Sequence, residues 1–133
     1  MKRHTIAYVL LAVALAAAVA VMGCAATSPS PTSRLRVANR GSAAIQQLTL
    51  LFPKDEIFFG DVAAGATTSY RDVPGGVYRY AAFRFAIRGT TVTQPVIDWV
   101  GEEPMDGKAF TYAVDADANR LPVIRLVSVT RDE

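Results

Sequence analysis

VYRYAAFRFAIR, Val77 to Arg88, decides the fold. From Ala81 the odd positions Ala81, Phe83, Phe85 and Ile87 are apolar. The even positions Tyr78, Tyr80, Arg84 and Arg88 are aromatic or charged with a polar tip. A period of two over this length predicts a β-strand with one buried and one wet face. Helical spacing would instead repeat apolar residues every three or four positions, and the run does not.

Working outward, the same alternation recurs in short runs broken by turn residues. Downstream, Gly89-Thr90 turns the chain into TTVTQPVIDWV. The loop GEEPMDG follows, and then KAFTYAV and LPVIRLVSV, joined by DADANR. Upstream lie LRVAN from Leu35, IQQLTLLF closed by Pro53, EIFFGDV with Gly60 as a bulge, and AAGATTSYRDV resuming after Gly65. Pro74-Gly75-Gly76 is a turn signal. Proline donates no ladder bond, so Pro53 ends a strand, and Pro122 suits a strand beginning or an edge. Turn signals every eight to twelve residues, with β-branched and aromatic residues between them, point to an all-β fold. The expectation is one antiparallel β-sandwich of seven or eight strands, immunoglobulin-like or transthyretin-like, after an N-terminal signal helix.

The front of the chain reads differently. MKRHTIAY carries Lys2, Arg3 and His4 and no acid, and the thirteen residues Val9 to Val21 have no polar side chain. A basic start followed by an apolar stretch of this length is the layout of a secretory signal. Val21-Met22-Gly23-Cys24 resembles the bacterial lipobox, with a branched apolar residue three places before cysteine and a small one directly before it. That resemblance implies cleavage before Cys24 and attachment of diacylglycerol and further palmitate-type chains there. The thiolate is the nucleophile, and two or three chains give stable anchoring where one does not. AATSPSPTS, Ala25 to Ser33, is small, polar and proline-rich, the composition of a flexible tether. The organisation expected is a signal at 1–23, a lipidated cysteine with its tether at 24–34, and the sandwich at 35–133. A plain signal-anchor helix is the competing reading of the same stretch. The expected location is the bacterial cell envelope. Ala25 is not the aspartate that commonly holds such proteins at the inner membrane, so the outer membrane facing the periplasm is favoured.

Without the leader, the 14 bases lose Lys2 and Arg3, and the remaining 12 face 12 acids. No basic excess is left to attract nucleic acid by net charge. The one histidine, His4, leaves too, which removes imidazole bases and His-containing triads. With Cys24 acylated, thiolate ligands go as well, so no metal or other cofactor is expected and only oxygen-ligand sites stay open. Asp115-Ala116-Asp117-Ala118-Asn119 begins like a calcium loop, but Arg120 stands where the sharp turn needs glycine, and a hairpin connection accounts for it. Asp98, Glu102, Glu103 and Asp106 gather in one loop and could serve as paired carboxylates in a small envelope hydrolase. A solvated inter-strand loop explains them without chemistry, so no catalytic residue is assigned. The candidate interaction surface is the stripe Tyr78, Tyr80, Arg84 and Arg88, since Tyr and Arg combine apolar area with polar reach. Trp99 reads as a packing residue.

FGDVAAGATTSYRDV, YRYAAFRFAI and QPVIDWVGEEPMDGKAFTYAV together resemble a group of small exported bacterial lipoproteins. Shared phrases are G-D-x-x-x-G, Ser-Tyr, a Tyr-rich strand and G-E-x-P-[LM]-x-G-K-x-T-Y. The resemblance spans most of Phe59 to Val114 and implies fold and location, with no activity attached. The function expected is non-enzymatic: a membrane-anchored binding or structural module, with an envelope protein or glycan as partner. An accessory carbohydrate- or peptide-binding module is the alternative.

Overall fold

The computed structural model describes residues 32–96 and 99–132. The leader, Cys24 and most of the tether lie outside these residues, as does Asp98. The described chain is all-β and contains no helix. Its strands are β1 (Ser33–Asn39), β2 (Ile45–Leu51), β3 (Glu56–Val62), β4 (Arg71–Val73), β5 (Ala82–Ile87), β6 (Thr90–Gln94), β7 (Ala109–Ala116) and β8 (Ile124–Arg131).

Two four-stranded sheets, β4-β1-β7-β8 and β3-β2-β5-β6, pack face to face. Every pairing is antiparallel except β1 with β7, which run parallel from Arg34↔Ala109 to Asn39↔Val114. The immunoglobulin order puts the first, second, fifth and fourth strands in one sheet. Here β1 and β2 lie in opposite sheets, so the strand order departs from the immunoglobulin one.

Alternation fills the core from both inner faces. Leu35 and Val37 of β1 and Tyr112 and Val114 of β7 meet Leu48 and Leu50 of β2 and Phe83 and Phe85 of β5, all buried. Burying a side chain of this size contributes about 2 kcal/mol. Phe52 packs between Tyr78 and Tyr112, with ring centroids at 6.1 and 6.2 Å. The Tyr112 hydroxyl donates to the Tyr78 carbonyl, which satisfies a phenol otherwise stranded in the core. Burial raises that phenol's pKa beyond the ordinary tyrosine range.

β2 and β3 carry two compensating bulges. Ile45 pairs with Val62 and Leu48 with Gly60, which leaves one extra residue on β2; Thr49 then pairs with Phe58, which leaves one extra on β3. Each bulge flips the side-chain phase by one, so Ile45 and Leu48 both point inward, as do Phe59 and Val62. Gln47 sits at φ 52° and Gly60 at φ 80°. The Gln47 amide, turned out of the ladder, donates to the Asp61 carboxylate at 2.9 Å. The β5–β6 hairpin turns on Arg88 and Gly89, both with positive φ (49° and 76°), the signature of a type I′ turn.

The expected strand from Val77 is shorter than its pattern. Val77 and Tyr78 are buried together, Arg79 and Tyr80 are exposed together, and pairing starts only at Ala82. Backbone bonds of 77–81 go elsewhere: the Val77 carbonyl accepts from Met105 N–H at 2.8 Å, and the Tyr78 carbonyl from Tyr112. The run from Ala63 likewise forms a strand only at Arg71–Val73, because Thr67 and Thr68 tie it to β1 by an isolated bridge and side-chain bonds.

Candidate functional site

β6 and β8 are the edge strands on the same side of the sandwich. Between them runs a groove of about 690 Å³. Its apolar walls come from Ala81, Phe83, Pro95, Val96, Pro122 and Leu126. A second hollow of about 440 Å³ continues along β8 past Met105 and Val129, and both share Tyr80 and Leu126. Tyr80, 52% exposed, stands at the junction. Among the described lining residues Arg79 and Arg125 are the charged ones, and no carboxylate is present.

The Gln94 carboxamide spans the two edges. Its Nε2 donates to the Ile124 carbonyl at 2.8 Å, and its Oε1 accepts the Ile124 N–H at 2.9 Å. A primary amide thereby makes the pair of bonds that a neighbouring strand would make. β6 cannot continue the pairing, because Pro95 follows directly.

The four residues of the expected stripe do not share one surface. Tyr78 is buried at 4% exposure against Trp99, ring centroids 5.6 Å apart and edge-on, which corrects its assignment to the wet face. Tyr80 opens into the groove. Arg84 lies on the outer face of the β3-β2-β5-β6 sheet with its guanidinium 2.9 Å from Glu56, and Arg88 occupies the hairpin turn. The alternation from Ala81 locates the inner face correctly; the two tyrosines precede the ladder, where parity has no meaning. Proline at 95 and an amide-bearing residue before it are the only sequence hints of the groove, and neither points across to β8.

Other expected positions are also accounted for. The Asp115 carboxylate receives Arg120 at 3.0 Å and Arg125 at 3.2 Å, and Asp117 accepts the Asn119 N–H, so the DADAN stretch is a braced hairpin. No group of three or more potential metal ligands occurs among the described residues. Glu102, Glu103 and Asp106 line neither hollow.

A polar cluster covers the outer face of the β4-β1-β7-β8 sheet. Tyr70 Oη and Thr111 Oγ1 each donate to Asp132 Oδ2 at 2.7 Å, and Arg36 Nε donates to Thr111 Oγ1 at 2.9 Å. The guanidinium carbons of Arg34 and Arg36 lie 5.1 and 4.9 Å from the Tyr70 ring centroid. Partial burial pushes the Asp132 carboxyl up, but the Tyr70 and Thr111 hydrogen bonds and the Arg36 charge outweigh it and hold the group below its ordinary range. A carboxyl with a lowered folded pKa stabilises above its unfolded pKa, and that contribution fades as pH falls through the folded value. Asp132→Asn is therefore expected to reduce the loss of Tm between about pH 5 and pH 2 relative to the parent, read by thermal melts across that window.

The fold and groove define a β-sandwich domain with one open flank. No family model matches the chain, and no curated protein matches it. The NMR structure of the protein from Eubacterium rectale is similar in fold, with a TM-score of 0.50 over 77% of this chain and 95% of that one at 13% identity. Similarity at that identity concerns the fold alone.

Proposed function

We propose that this chain is a lipid-anchored, non-enzymatic binding or structural module of the bacterial cell envelope. The observation that carries this reading is Val21-Met22-Gly23-Cys24 at the end of the thirteen-residue apolar stretch. Cys24 supplies membrane attachment, the short Pro- and Ser-rich tether gives reach, and the sandwich presents its surfaces outside the cytoplasm. The tether joins β1 beside the loop that precedes β7: Ser33 Oγ donates to the Gly107 carbonyl at 3.1 Å, and Arg34 N–H to Lys108 O at 2.8 Å. Anchoring at Cys24 would turn that end of the sandwich toward the bilayer and leave the β6–β8 flank open sideways.

The narrower reading, an accessory carbohydrate- or peptide-binding module, is favoured by that groove. The carboxylate-hydrolase alternative gains no geometric support, since Glu102, Glu103 and Asp106 do not face it. Mass spectrometry of the mature N-terminus from bacterial envelopes is expected to find Cys24 as residue one, carrying diacylglycerol. Cys24→Ala should abolish labelling by a clickable fatty acid and free the chain from the membrane fraction. An unmodified Cys24 thiol, or a retained leader, would refute the anchor.

A further inference from the structure

β8 is an edge strand, and the direction of its backbone can be read from two bonds. Ile124 exchanges both its backbone groups with the Gln94 side chain, so they point away from β7. Neighbouring residues in an antiparallel ladder alternate between inward and outward. Leu126, two residues on and paired with Val114, therefore also turns its N–H and C=O away from β7, toward the groove. Past it, the register shift between Ala113 and Val114 leaves Val127 as an extra residue, and the bulge re-aims the edge. Among the described residues the Leu126 rung is thus an unfilled continuation of a ladder whose first rung is already occupied by an amide.

From this we infer that the flank between β6 and β8 binds a short, extended, acidic peptide segment of another protein, which adds to the β8 edge at Leu126. The inference deepens the binding-module reading and rests on it. Three features select this occupant. The free backbone pair calls for a partner with peptide geometry, which a sugar or an acyl chain lacks. The two hollows lie to either side of Tyr80, where alternate side chains of an extended segment would fall. Among the described lining residues the charged ones are Arg79 and Arg125, which complements acidic residues. Arg125 is partly engaged by Asp115, whereas Arg79 is exposed and positioned to receive a carboxylate. The contact is short: from Ile124 to Val129 the edge runs roughly 20 Å at about 3.3 Å per residue.

The test uses the protein as isolated from bacterial cells in detergent micelles and a fluorescent eight-residue peptide alternating valine and glutamate. Its counterpart alternating valine and lysine, and a valine–glutamate version N-methylated at alternate amides, serve as comparators. Anisotropy is expected to show saturable binding of the valine–glutamate peptide, about tenfold weaker for the lysine version and lost on N-methylation. Arg79→Glu, a surface change, should weaken the glutamate peptide and strengthen the lysine one. Amide shifts in NMR should centre on Leu126 and the Gln94 side chain. Equal behaviour of the three peptides, or no binding by any, overturns the inference. So does displacement by decanoate or an oligosaccharide that itself shifts Leu126 while the peptide does not, and so does self-association of the chain through the same residues. None of these outcomes bears on acylation of Cys24, so the anchor and the groove stand or fall separately.

Discussion

Gly41→Ala is expected to destabilise the sandwich by about 4 kcal/mol, close to the whole stability of many small domains. A Cβ on Gly41 would lie 2.7 Å from the carbonyl carbon of Ala116 and nearer still to that residue's nitrogen and oxygen. These are backbone atoms at the end of β7, and they cannot rotate away. The β1–β2 connection is moored to this point: Arg40 N–H donates to Val114 O at 2.7 Å and Ala43 N–H to Ala116 O at 3.0 Å. A methyl group must therefore break the mooring or shift the strand. Gly65→Ala is the instructive comparison. Nothing lies within 4 Å of its Cβ position, but its φ is +78°, so conformational strain alone should cost about 1 kcal/mol. Urea unfolding followed by far-UV circular dichroism separates the two, and equal midpoints for both variants would show that the close approach at Gly41 is not limiting.

Asn39→Ala should cost about 3 kcal/mol, and for a different reason. Asn39 is only 1% exposed, yet its side chain organises the turn between the sheets. Nδ2 donates to Ala43 O at 2.8 Å and Val62 O at 3.2 Å, while Oδ1 accepts the Gly41 N–H at 3.0 Å. Truncation leaves one donor and two acceptors without partners in a region that water enters poorly. Asn39→Asp keeps the Gly41 bond but points a carboxylate at two carbonyls. Its folded pKa would be raised, so the variant should recover stability as pH falls and lose it as pH rises. Unfolding midpoints at pH 4 and pH 8 check both sign and size. A variant insensitive to pH would mean that this corner is hydrated.

The parts of the fold legible from residues are those where local pattern and tertiary demand coincide. EIFFGDV reads as a strand and is one, from Glu56 to Val62, with its bulge at Gly60, because only glycine adopts that φ without strain. Leu48, Leu50 and Phe52 alternate into the core as their spacing implies. The companion bulge at Gln47 was not legible. Nothing in the sequence marks a glutamine for φ 52°, and its compensation by the Asp61 carboxylate comes from the neighbouring strand. Arg71–Val73 is short because Thr67 and Thr68 spend their bonding on β1, a competition that propensity does not register.

The candidate site was legible only in fragments. Tyr80 belongs to it, but the reasoning that selected it, a wet strand face, also selected Tyr78, which packs against Phe52 and Trp99 inside the molecule. Both tyrosines lie just before the first paired residue, Ala82. A strand start displaced from Val77 to Ala82 is enough to exchange core for surface. The groove itself comes from which strands end up at the edges, and the ordering β4-β1-β7-β8 over β3-β2-β5-β6 is a long-range property. Gln94 and Ile124 are 30 positions apart, and no local pattern announces that they will meet.

The parallel pairing of β1 with β7 sets a timetable for assembly. The first strand among the described residues occupies an interior place in its sheet, and its Arg36 bonds Thr111, 75 residues further on. During synthesis β1 emerges well before β7 and must wait, with Leu35 and Val37 uncovered, until Ala109–Ala116 has been made. Loop-closure entropy of that span opposes early docking, so maturation of the sheet is a late, concerted event. A nascent chain cut off before Ala109 would have no seat for its own opening strand, and such fragments should be substrates for proteases and holdases, with no stable subdomain among them.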